Sequence, residues 1–482
     1  MESGLSSQQS DQLNLPTVRE LRRVTTVVYT AIGAMNGLFL YVWGPYFMAH
    51  FSVGDASAAI TITMILFAMR QALVALLEVP AGALADTIGR GHVVILAMVS
   101  RSVFFLSLAA ISFCTQLYSA VCWGVLASIG YAVAYTFFNG AYSAWCADRL
   151  RTIAPAVPYA WISTRYTIYE SIGEVIGAVL SITLYVLHFP FLIFFGGAVL
   201  AYGMMGYCFN RMPGSGTKAR ERGALRLAAI MRTLGDRVAD SILVCRRHPV
   251  LLWVTLVFGA YGFLMSLVVH LWPVYLHAII GADQLGVEWI SIAVIGLVLQ
   301  GVGGWWFSRA NDRRMGRAVD NRARFIYYRR VYVSTSILCA VSIGTLSTWQ
   351  FFGNPPLWLF AGAVGVTLFV SGWIWSCYDI FTNSFVSSDF SHARATVLSA
   401  GSMTRSVLTL ILAVPAGGLS AEHSPIGWMI PALVLLVAAT GAHVMLRRDE
   451  RTRLATTLDQ ELPSEPLPAP LVEEEAVENA PE

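Results

Sequence analysis

The sequence predicts an all-α polytopic membrane protein with twelve transmembrane helices arranged in two six-helix bundles. Of its 482 residues, 56% are apolar and only 13% are charged, whereas a soluble protein typically carries about 25% charged residues. The mean hydropathy is +0.61, and the apolar runs are long enough to cross a hydrocarbon core of about 30 Å. This composition argues strongly against a soluble enzyme.

Windows of about 20 residues predict six spans on each side of a central arginine-rich stretch. The first six lie near 24–50, 58–85, 93–113, 117–141, 168–187 and 191–209. The second six lie near 250–279, 289–307, 331–348, 357–381, 397–419 and 426–446. We therefore divide the chain into an N-terminal segment (1–23), an N-terminal bundle (24–209), a linker (210–249), a C-terminal bundle (250–446) and a C-terminal tail (447–482).

The distribution of arginine predicts the orientation, because positively charged loops stay in the cytoplasm. With the N-terminus inside, the basic stretches all fall on the cytoplasmic side: 149–151, 211–247, 309–330, 394 and 447–453. The loops on the other side contain no Lys or Arg. We expect a protein of the cell membrane with both termini in the cytoplasm.

Two segments outside the bundles have distinct patterns. Between residues 226 and 247, apolar side chains recur at helical spacing opposite arginines, which predicts an amphipathic helix on the cytoplasmic membrane surface. This helix either connects the two halves or senses membrane lipid, and connecting the halves is the simpler of the two functions. The tail from 459 onward is rich in Pro and Glu and predicts an acidic disordered segment.

Nothing in the sequence indicates a metal, a cofactor or a catalytic centre. The seven cysteines are scattered singly without C-x-x-C spacing, so neither a disulfide framework nor a zinc site is predicted. A nucleotide-binding P-loop motif is also absent.

An aromatic-proline-aromatic element recurs at the predicted outer end of the first helix of each half. It reads Trp43-Gly44-Pro45-Tyr46 in the first half and Trp272-Pro273-Val274-Tyr275 in the second. Parallel repeats of this kind build two-bundle transporters, with the substrate site at the midplane. The alternative is that these residues form an interfacial aromatic belt.

The most specific motif lies between spans two and three, where Gly82, Asp86, Gly89 and Arg90 follow Glu78. This stretch closely resembles the G-x-x-x-D-x-x-G-R signature of the major facilitator superfamily. The resemblance implies twelve helices in two bundles and alternating access. Gly82 would admit a close helix, Asp86 would ion-pair between the halves, and Gly89 with Arg90 would form a tight basic turn.

Other strings resemble bacterial drug:proton antiporters of the same superfamily. They are 141–148 at the end of span four and 394–399 at the start of span eleven. The glycine-rich antiporter motif of span five is incomplete, with Gly173, Gly177 and Ser181 alone, and the second-half loop motif near 304–317 is degenerate.

Charged side chains inside spans are costly and typically face a partner or a water-filled cavity. In this sequence they are Arg70, Glu78, Arg101, Glu170, Glu174, Asp379 and Arg405. In the fold that the resemblance implies, spans two and eleven face each other. We expect a breakable ion-pair gate there between Arg405 and either Glu78 or Asp86, and the alternative is a permanent Glu78–Arg101 pair within one bundle.

Glu170 and Glu174 are four residues apart and share one face of span five. Two carboxylates at that spacing in a low dielectric favour binding of a proton, so we expect one of them, preferably the deeper Glu174, to carry the coupled proton. The alternative, which the sequence favours equally, is that these glutamates form salt bridges to Arg165 or Arg70. Arg70 is then either a counter-ion for Glu174 or a ligand for an anionic group of the substrate.

Aromatic and polar side chains predict a chamber for a hydrophobic or amphipathic solute. The candidates are Asn36, Tyr41, Trp43, Tyr46, Tyr135, His270, Trp272, Tyr275 and Trp375. Each of them also suits helix packing or an interfacial belt.

The leading hypothesis is a proton-coupled secondary transporter that exports an organic small molecule such as a drug or secondary metabolite. The alternative is a proton-coupled importer of a nutrient or organic anion. The expected partners are a small-molecule substrate, protons and membrane lipid, with no nucleic acid and with a monomer as the default.

Overall fold

The computed structural model describes residues 15–51, 56–155, 160–212, 249–280, 287–315, 321–353, 355–385, 401, 403–412 and 426–450. The predicted amphipathic linker helix and the acidic tail lie outside these residues.

All regular secondary structure in the described ranges is helical, which confirms the predicted fold class. The first half contains α1 (Pro16–Leu40), α2 (Trp43–Phe51), α3 (Ala56–Ile88), α4 (Arg90–Ile111), α5 (Leu117–Ile153), α6 (Ala160–Val186) and α7 (Pro190–Arg211). The second half contains α8 (Pro249–Ile280), α9 (Val287–Met315), α10 (Asn321–Trp349), α11 (Leu357–Phe369), α12 (Ser371–Phe385), α13 (Met403–Leu412) and α14 (Ile426–Glu450).

Ten segments of the described chain are long and apolar enough to cross a membrane, and Val294–Phe307 and Met403–Leu412 are shorter apolar helices. Each of the twelve overlaps one of the predicted spans, and some extend beyond it, as Leu117–Ile153 does beyond the predicted 117–141. Large apolar side chains such as Leu76, Tyr202 and Phe209 are exposed on the outer surface, as expected where the surrounding solvent is lipid.

The first predicted span is two helices, because the chain breaks at Tyr41 and Val42 between α1 and α2. Pro45 has no N–H to donate to the carbonyl oxygen of Tyr41. The helix restarts with a bond from the Tyr46 amide to the Val42 carbonyl oxygen at 2.9 Å. This break leaves the Tyr41 side chain between the two helices.

Helices α1 and α6 make the closest helix pair in the first half. A Cβ atom on Gly33 or Gly37 of α1 would lie 1.9 or 2.2 Å from the carbonyl oxygens of Glu170 and Glu174, respectively. On α6, a Cβ on Gly173 would lie 2.0 Å from the Thr30 carbonyl oxygen. Only glycine allows such an approach, so these residues fix the part of α6 that carries both glutamates against α1.

The two halves meet through a few helices. Helix α6 contacts α9 and α12, and α2 contacts α8. Side chains of α13 reach α3 and α5. The midplane between these contacts holds the cavity described next.

Candidate functional site

A cavity of about 160 Å³ lies between the two halves near the middle of the helices. The first half contributes side chains of α1, α3, α5 and α6, together with Tyr41. The second half contributes side chains of α8, α9, α11, α12 and α13. The lining residues are Leu40, Tyr41, Arg70, Gln71, Val74, Tyr131, Tyr135, Glu174, Gly262, Met265, Ser266, Gln300, Leu368, Trp375 and Arg405.

A second cavity, of about 300 Å³, lies beside the first turn of α1 and is bounded by Glu20, Arg23, Tyr207 and Arg211. It lies within one half, and its Arg211–Glu20 ion pair, at 3.1 Å, is more than half exposed. We assign the functional site to the smaller cavity, because of the two it is the one that joins both halves, and it is lined by Arg70, Glu174 and Arg405, three of the charges inside the spans.

Arg70 projects into the central cavity from α3 and is 3% exposed. Its guanidinium carbon lies 4.4 Å from the ring centre of Tyr131, 4.7 Å from Phe67, 4.9 Å from Trp43 and 5.6 Å from Phe39. Four aromatic rings at these distances stabilise a desolvated cation through their quadrupoles. This aromatic cage explains how a positive charge predicted near the middle of a span can be buried there.

Arg405 enters the same cavity from α13 in the opposite half. Its Nη2 donates a hydrogen bond to the Tyr135 hydroxyl at 2.8 Å, and its guanidinium lies 5.2 Å from the Tyr135 ring centre. A Cβ on Gly262 would lie 2.4 Å from the Arg405 Cδ atom, so the absence of a side chain on α8 makes room for the arginine. Glu78 attracts the Arg405 charge electrostatically.

Glu174 is the carboxylate of the cavity and is 8% exposed. Its Oε2 accepts a hydrogen bond from the Gln300 Nε2 of α9 at 3.2 Å. The neighbouring Glu170 carboxylate repels it. The carboxylate that lines the cavity therefore bonds directly to the other half of the molecule.

Three hydrogen bonds between described residues join the two halves around the cavity. Besides Glu174–Gln300 and Arg405–Tyr135, the Ser406 hydroxyl donates to the Gln71 Oε1 at 3.3 Å. All three involve cavity-lining residues, so any motion that separates the halves at the cavity must break them.

Glu170 lies in a separate polar chain within the first half. The Asn36 Nδ2 donates to the Glu170 Oε1 at 3.4 Å, and the Arg101 Nη2 donates to the Asn36 Oδ1 at 3.1 Å. Arg101 attracts the Glu170 charge. Asn36 and Glu170 thus lie behind the cavity, and the two glutamates of span five have different surroundings.

The predicted loop motif forms the junction between α3 and α4. Gly89 has a φ of +96°, a backbone region that favours glycine. Arg90 forms an ion pair with Asp148 near the end of α5 and donates to the Ala144 carbonyl oxygen at 2.9 Å. The surroundings of Gly82 and the side chain of Asp86 lie outside the described part of the structure, so the roles predicted for these two residues remain predictions.

The predicted substrate residues have three placements. Tyr41, Tyr135 and Trp375 line the cavity. Trp43 lies behind Arg70 as part of its cage, and Tyr46 is buried in the first bundle, where its hydroxyl donates to the Leu108 carbonyl oxygen at 2.7 Å. The side chains of the other predicted substrate residues, His270, Trp272 and Tyr275, lie outside the described part of the structure, as does that of Asp379, one of the predicted charges within spans.

Sequence reasoning missed several lining residues. They are Leu40, Gln71, Val74, Tyr131, Gly262, Met265, Ser266, Gln300 and Leu368. A neutral amide in the middle of an apolar span is a usable signal, because it requires a hydrogen-bond partner in lipid. By that criterion Gln71 and Gln300 were detectable, whereas the apolar residues were not.

Among the residues that the structure describes, no group of three or more His, Cys, Asp or Glu side chains is arranged to hold a metal ion. The polar lining of the cavity consists of two arginines, one carboxylate, two amides, tyrosine hydroxyls and a serine, beside aromatic rings.

Membrane-crossing helices in two halves, with a polar cavity between them, define the class of membrane transporters. The comparison with family models identifies the group: the Major Facilitator Superfamily model matches residues 25–414. The chain belongs to the Major Facilitator Superfamily. Members of this family carry small-molecule substrates, and the protein is a transporter and not an enzyme.

Solved structures with the same fold are distant in sequence. A POT family transporter, PepTSo, aligns with a TM-score of 0.64 at 12% identity, over 89% of this chain and 98% of that chain. A D-xylose–proton symporter aligns with a TM-score of 0.62 at 14% identity, over 88% and 97%.

The nucleoside transporter NupG aligns with a TM-score of 0.56 at 14% identity, over 89% of this chain and 99% of that chain. No curated protein sequence matches the chain significantly. At these identities the structural likenesses show the fold alone.

Proposed function

We propose that the protein is a proton-coupled secondary transporter that moves an organic small molecule by alternating access. The observation that carries this proposal is Glu174, a buried carboxylate that lines the central cavity and bonds to Gln300 across the interface of the halves. Binding a proton removes a buried negative charge and changes this bond. One residue thereby links protonation, the cavity and the contact between the halves.

The energy available from protons suits this role. One charge that crosses a membrane potential of 100 mV supplies about 2.3 kcal/mol, which corresponds to nearly a 50-fold concentration ratio. The hydrogen bonds Arg405–Tyr135 and Ser406–Gln71 would break together with Glu174–Gln300 when the cavity opens. Three bonds of this size are compatible with rapid opening, because each contributes only about 0.5–3 kcal/mol.

Two directions of transport follow from different observations. The strings that resemble drug:proton antiporters favour export of a drug or secondary metabolite. The two arginines of the cavity, Arg70 and Arg405, favour the second candidate, proton-coupled import of a nutrient or organic anion.

The predicted gate remains part of this proposal. Glu78 acts on Arg405 electrostatically, while Arg405 bonds to Tyr135. We propose that Arg405 exchanges Tyr135 for Glu78 or Asp86 as the halves move. If Glu78→Gln and Arg405→Gln each abolish transport and the double variant recovers part of it, the exchange is supported. A double variant no better than either single one would contradict it.

The experiment that tests the function uses an efflux-deficient bacterial host. Intracellular accumulation of fluorescent dyes, antibiotics and labelled organic acids is compared for wild type and Glu174→Gln, with and without a protonophore. Lower accumulation of a compound by wild type alone, abolished by the protonophore, would establish export. Higher accumulation with the same sensitivity would establish import. A compound that moves identically with and without the protonophore would contradict proton coupling.

A further inference from the structure

We infer that the central cavity is a binding site for a small organic anion whose charged group lies between Arg70 and Arg405, and that this anion and a proton on Glu174 bind cooperatively. The inference rests on the proposed function and names its substrate class. It also selects between the two directions left open above.

The charge of the cavity favours an anion. Arg70 and Arg405 line it from opposite halves and lie close enough to repel each other. Glu174 is the carboxylate among the lining residues, so the lining carries two positive charges and at most one negative charge. A carboxylate between two guanidinium groups would relieve their repulsion and form charge-assisted hydrogen bonds. A cation would add to the repulsion.

The arginines are held in place before any ligand binds. The aromatic cage fixes Arg70, and Tyr135 together with the space at Gly262 fixes Arg405. Preorganised groups lose less conformational entropy when they bind a ligand. The two guanidiniums come from different halves, so an anion between them would bind both halves at once.

The remaining lining predicts the body of the ligand. Val74, Met265, Leu368 and Trp375 present apolar surface to the cavity, which suits an aromatic or branched aliphatic group. The volume of about 160 Å³ is below the range of about 300–1,000 Å³ typical of pockets for drug-sized ligands. A single-ring organic acid fits these dimensions better than a large drug.

The sign of the proton coupling follows from the same arrangement. An anion in the cavity repels an ionised Glu174, so it binds more tightly when Glu174 is protonated, and by reciprocity it promotes that protonation. Among the described groups, Glu170 on the same helix repels Glu174, Gln300 donates a hydrogen bond to it, and Tyr41 lies close enough to interact with its charge. Arg70 and Arg405 line the same cavity.

Cooperative binding of anion and proton has a mechanistic consequence. Substrates that compete with protons are exchanged for them, whereas substrates that bind together with protons travel in the same direction. The cavity therefore supports cotransport of an organic anion with protons over exchange of a cation for protons.

The test uses the purified full-length protein in lipid nanodiscs and three probes of matched shape: benzoate, benzamide and benzylamine. Binding is measured by calorimetry. Uptake of the same labelled probes is measured in proteoliposomes with a pH gradient and is counted only above that of protein-free liposomes, because neutral benzoic acid and neutral benzylamine cross a bilayer unaided. We expect benzoate to bind at least tenfold more tightly than the amide or the amine. Benzoate remains ionised between pH 6 and pH 8, so its affinity should increase toward pH 6 by up to about tenfold per pH unit.

Variants separate the contributions. Arg70→Gln and Arg405→Gln should each weaken benzoate binding about tenfold or more, and Glu174→Gln should remove the pH dependence. Arg70→Lys, which keeps a cation within the aromatic cage, tests the site if Arg70→Gln does not fold. The matched control is Arg309→Gln, an arginine that packs on the Trp305 ring at 5.2 Å outside the cavity.

The outcomes distinguish this inference from the proposed function. Tighter binding of the amide or the amine, or no binding of benzoate, would overturn the anion site. The transporter proposal would survive that result if any probe moved with protons. Binding of benzoate without proton-dependent movement of any probe would support the site and contradict the proposed function. Binding of benzoate that is equal or weaker at pH 6 than at pH 8 would overturn the cooperativity.

Discussion

The two glutamates of span five share a helix face but have different partners. Glu170 receives a hydrogen bond from Asn36, which is bonded to Arg101, whereas Glu174 lines the cavity and bonds to Gln300. The first carboxylate is compensated by a buried arginine within its own half. We therefore propose a structural role for Glu170 and propose Glu174 as the residue that binds the coupled proton.

The structural role predicts a specific pattern of stability. Arg101→Met should lower the melting temperature strongly, because removal of one partner of a buried charge pair costs about 3–5 kcal/mol. The double variant Arg101→Met with Glu170→Gln should recover much of this loss. Thermal unfolding of the purified variants measures both. If the double variant melted at or below the temperature expected from adding the single effects, Arg101 and Glu170 would not be coupled.

The charged residues of the cavity were predictable from the sequence, whereas the placement of the aromatic residues was not. Arg70, Glu174 and Arg405 were recognisable because charge inside a span is rare, and all three line one cavity. Trp43 and Tyr46 were chosen by residue type, yet they lie in the Arg70 cage and in the first bundle. The direction of an aromatic side chain depends on helix rotation, which a uniformly apolar helix does not reveal.

At the scale of helices, the contact of α1 with α6 determines where the glutamates lie. Gly173→Ala would place a Cβ 2.0 Å from the Thr30 carbonyl oxygen, so the backbones must separate. We expect a destabilisation of about 1–3 kcal/mol, read as a lower melting temperature, together with weaker proton coupling because Glu174 shifts. The control is Gly206→Ala on α7, where a Cβ meets nothing within 4 Å. Equal melting temperatures for the two variants would contradict this packing account.

The Arg90–Asp148 pair joins the start of α4 to the end of α5. Its side chains are 25% and 53% exposed, and exposed ion pairs contribute about 1 kcal/mol or less. We expect Asp148→Asn to leave the melting temperature nearly unchanged. A large decrease would show that the pair is a main determinant of stability, contrary to this estimate.

At the scale of the whole molecule, the hydrogen bonds between the halves should set the conformational equilibrium. Tyr135→Phe removes the bond to Arg405 but keeps the ring, so the structure described here should lose about 1.5–3 kcal/mol relative to states with separated halves. Spin labels at the exposed positions Tyr118 and Phe352, one in each half, would report a changed distance distribution by electron paramagnetic resonance. Tyr131→Phe, one turn away in the same cavity, is the control. Identical distributions for all three proteins would contradict the role of this bond.

The fold class was largely predictable. Apolar runs of membrane length mark the helices, and the loops between them alternate between basic ones and ones without Lys or Arg, which leaves few alternative numbers of spans. The division of the first span at Tyr41 was not predicted, because a proline inside a span does not by itself divide it: Pro80 and Pro431 lie inside continuous helices. The pairing of α6 with α9 was not predictable, since Gln300 is neutral and its partner lies 126 residues away. Contacts between the halves depend on the three-dimensional arrangement of two bundles, and local patterns carry no information about it.

The most direct test of the central claim is proton movement driven by substrate. The protein is reconstituted into liposomes with a pH-sensitive dye inside, and a gradient is imposed of a compound that the cellular panel shows to be transported. Wild type should change the internal pH as substrate moves. Glu174→Gln should still equilibrate substrate down its gradient but leave the internal pH constant. A substrate-driven pH change of wild-type size in Glu174→Gln would show that another group carries the proton and would contradict the account.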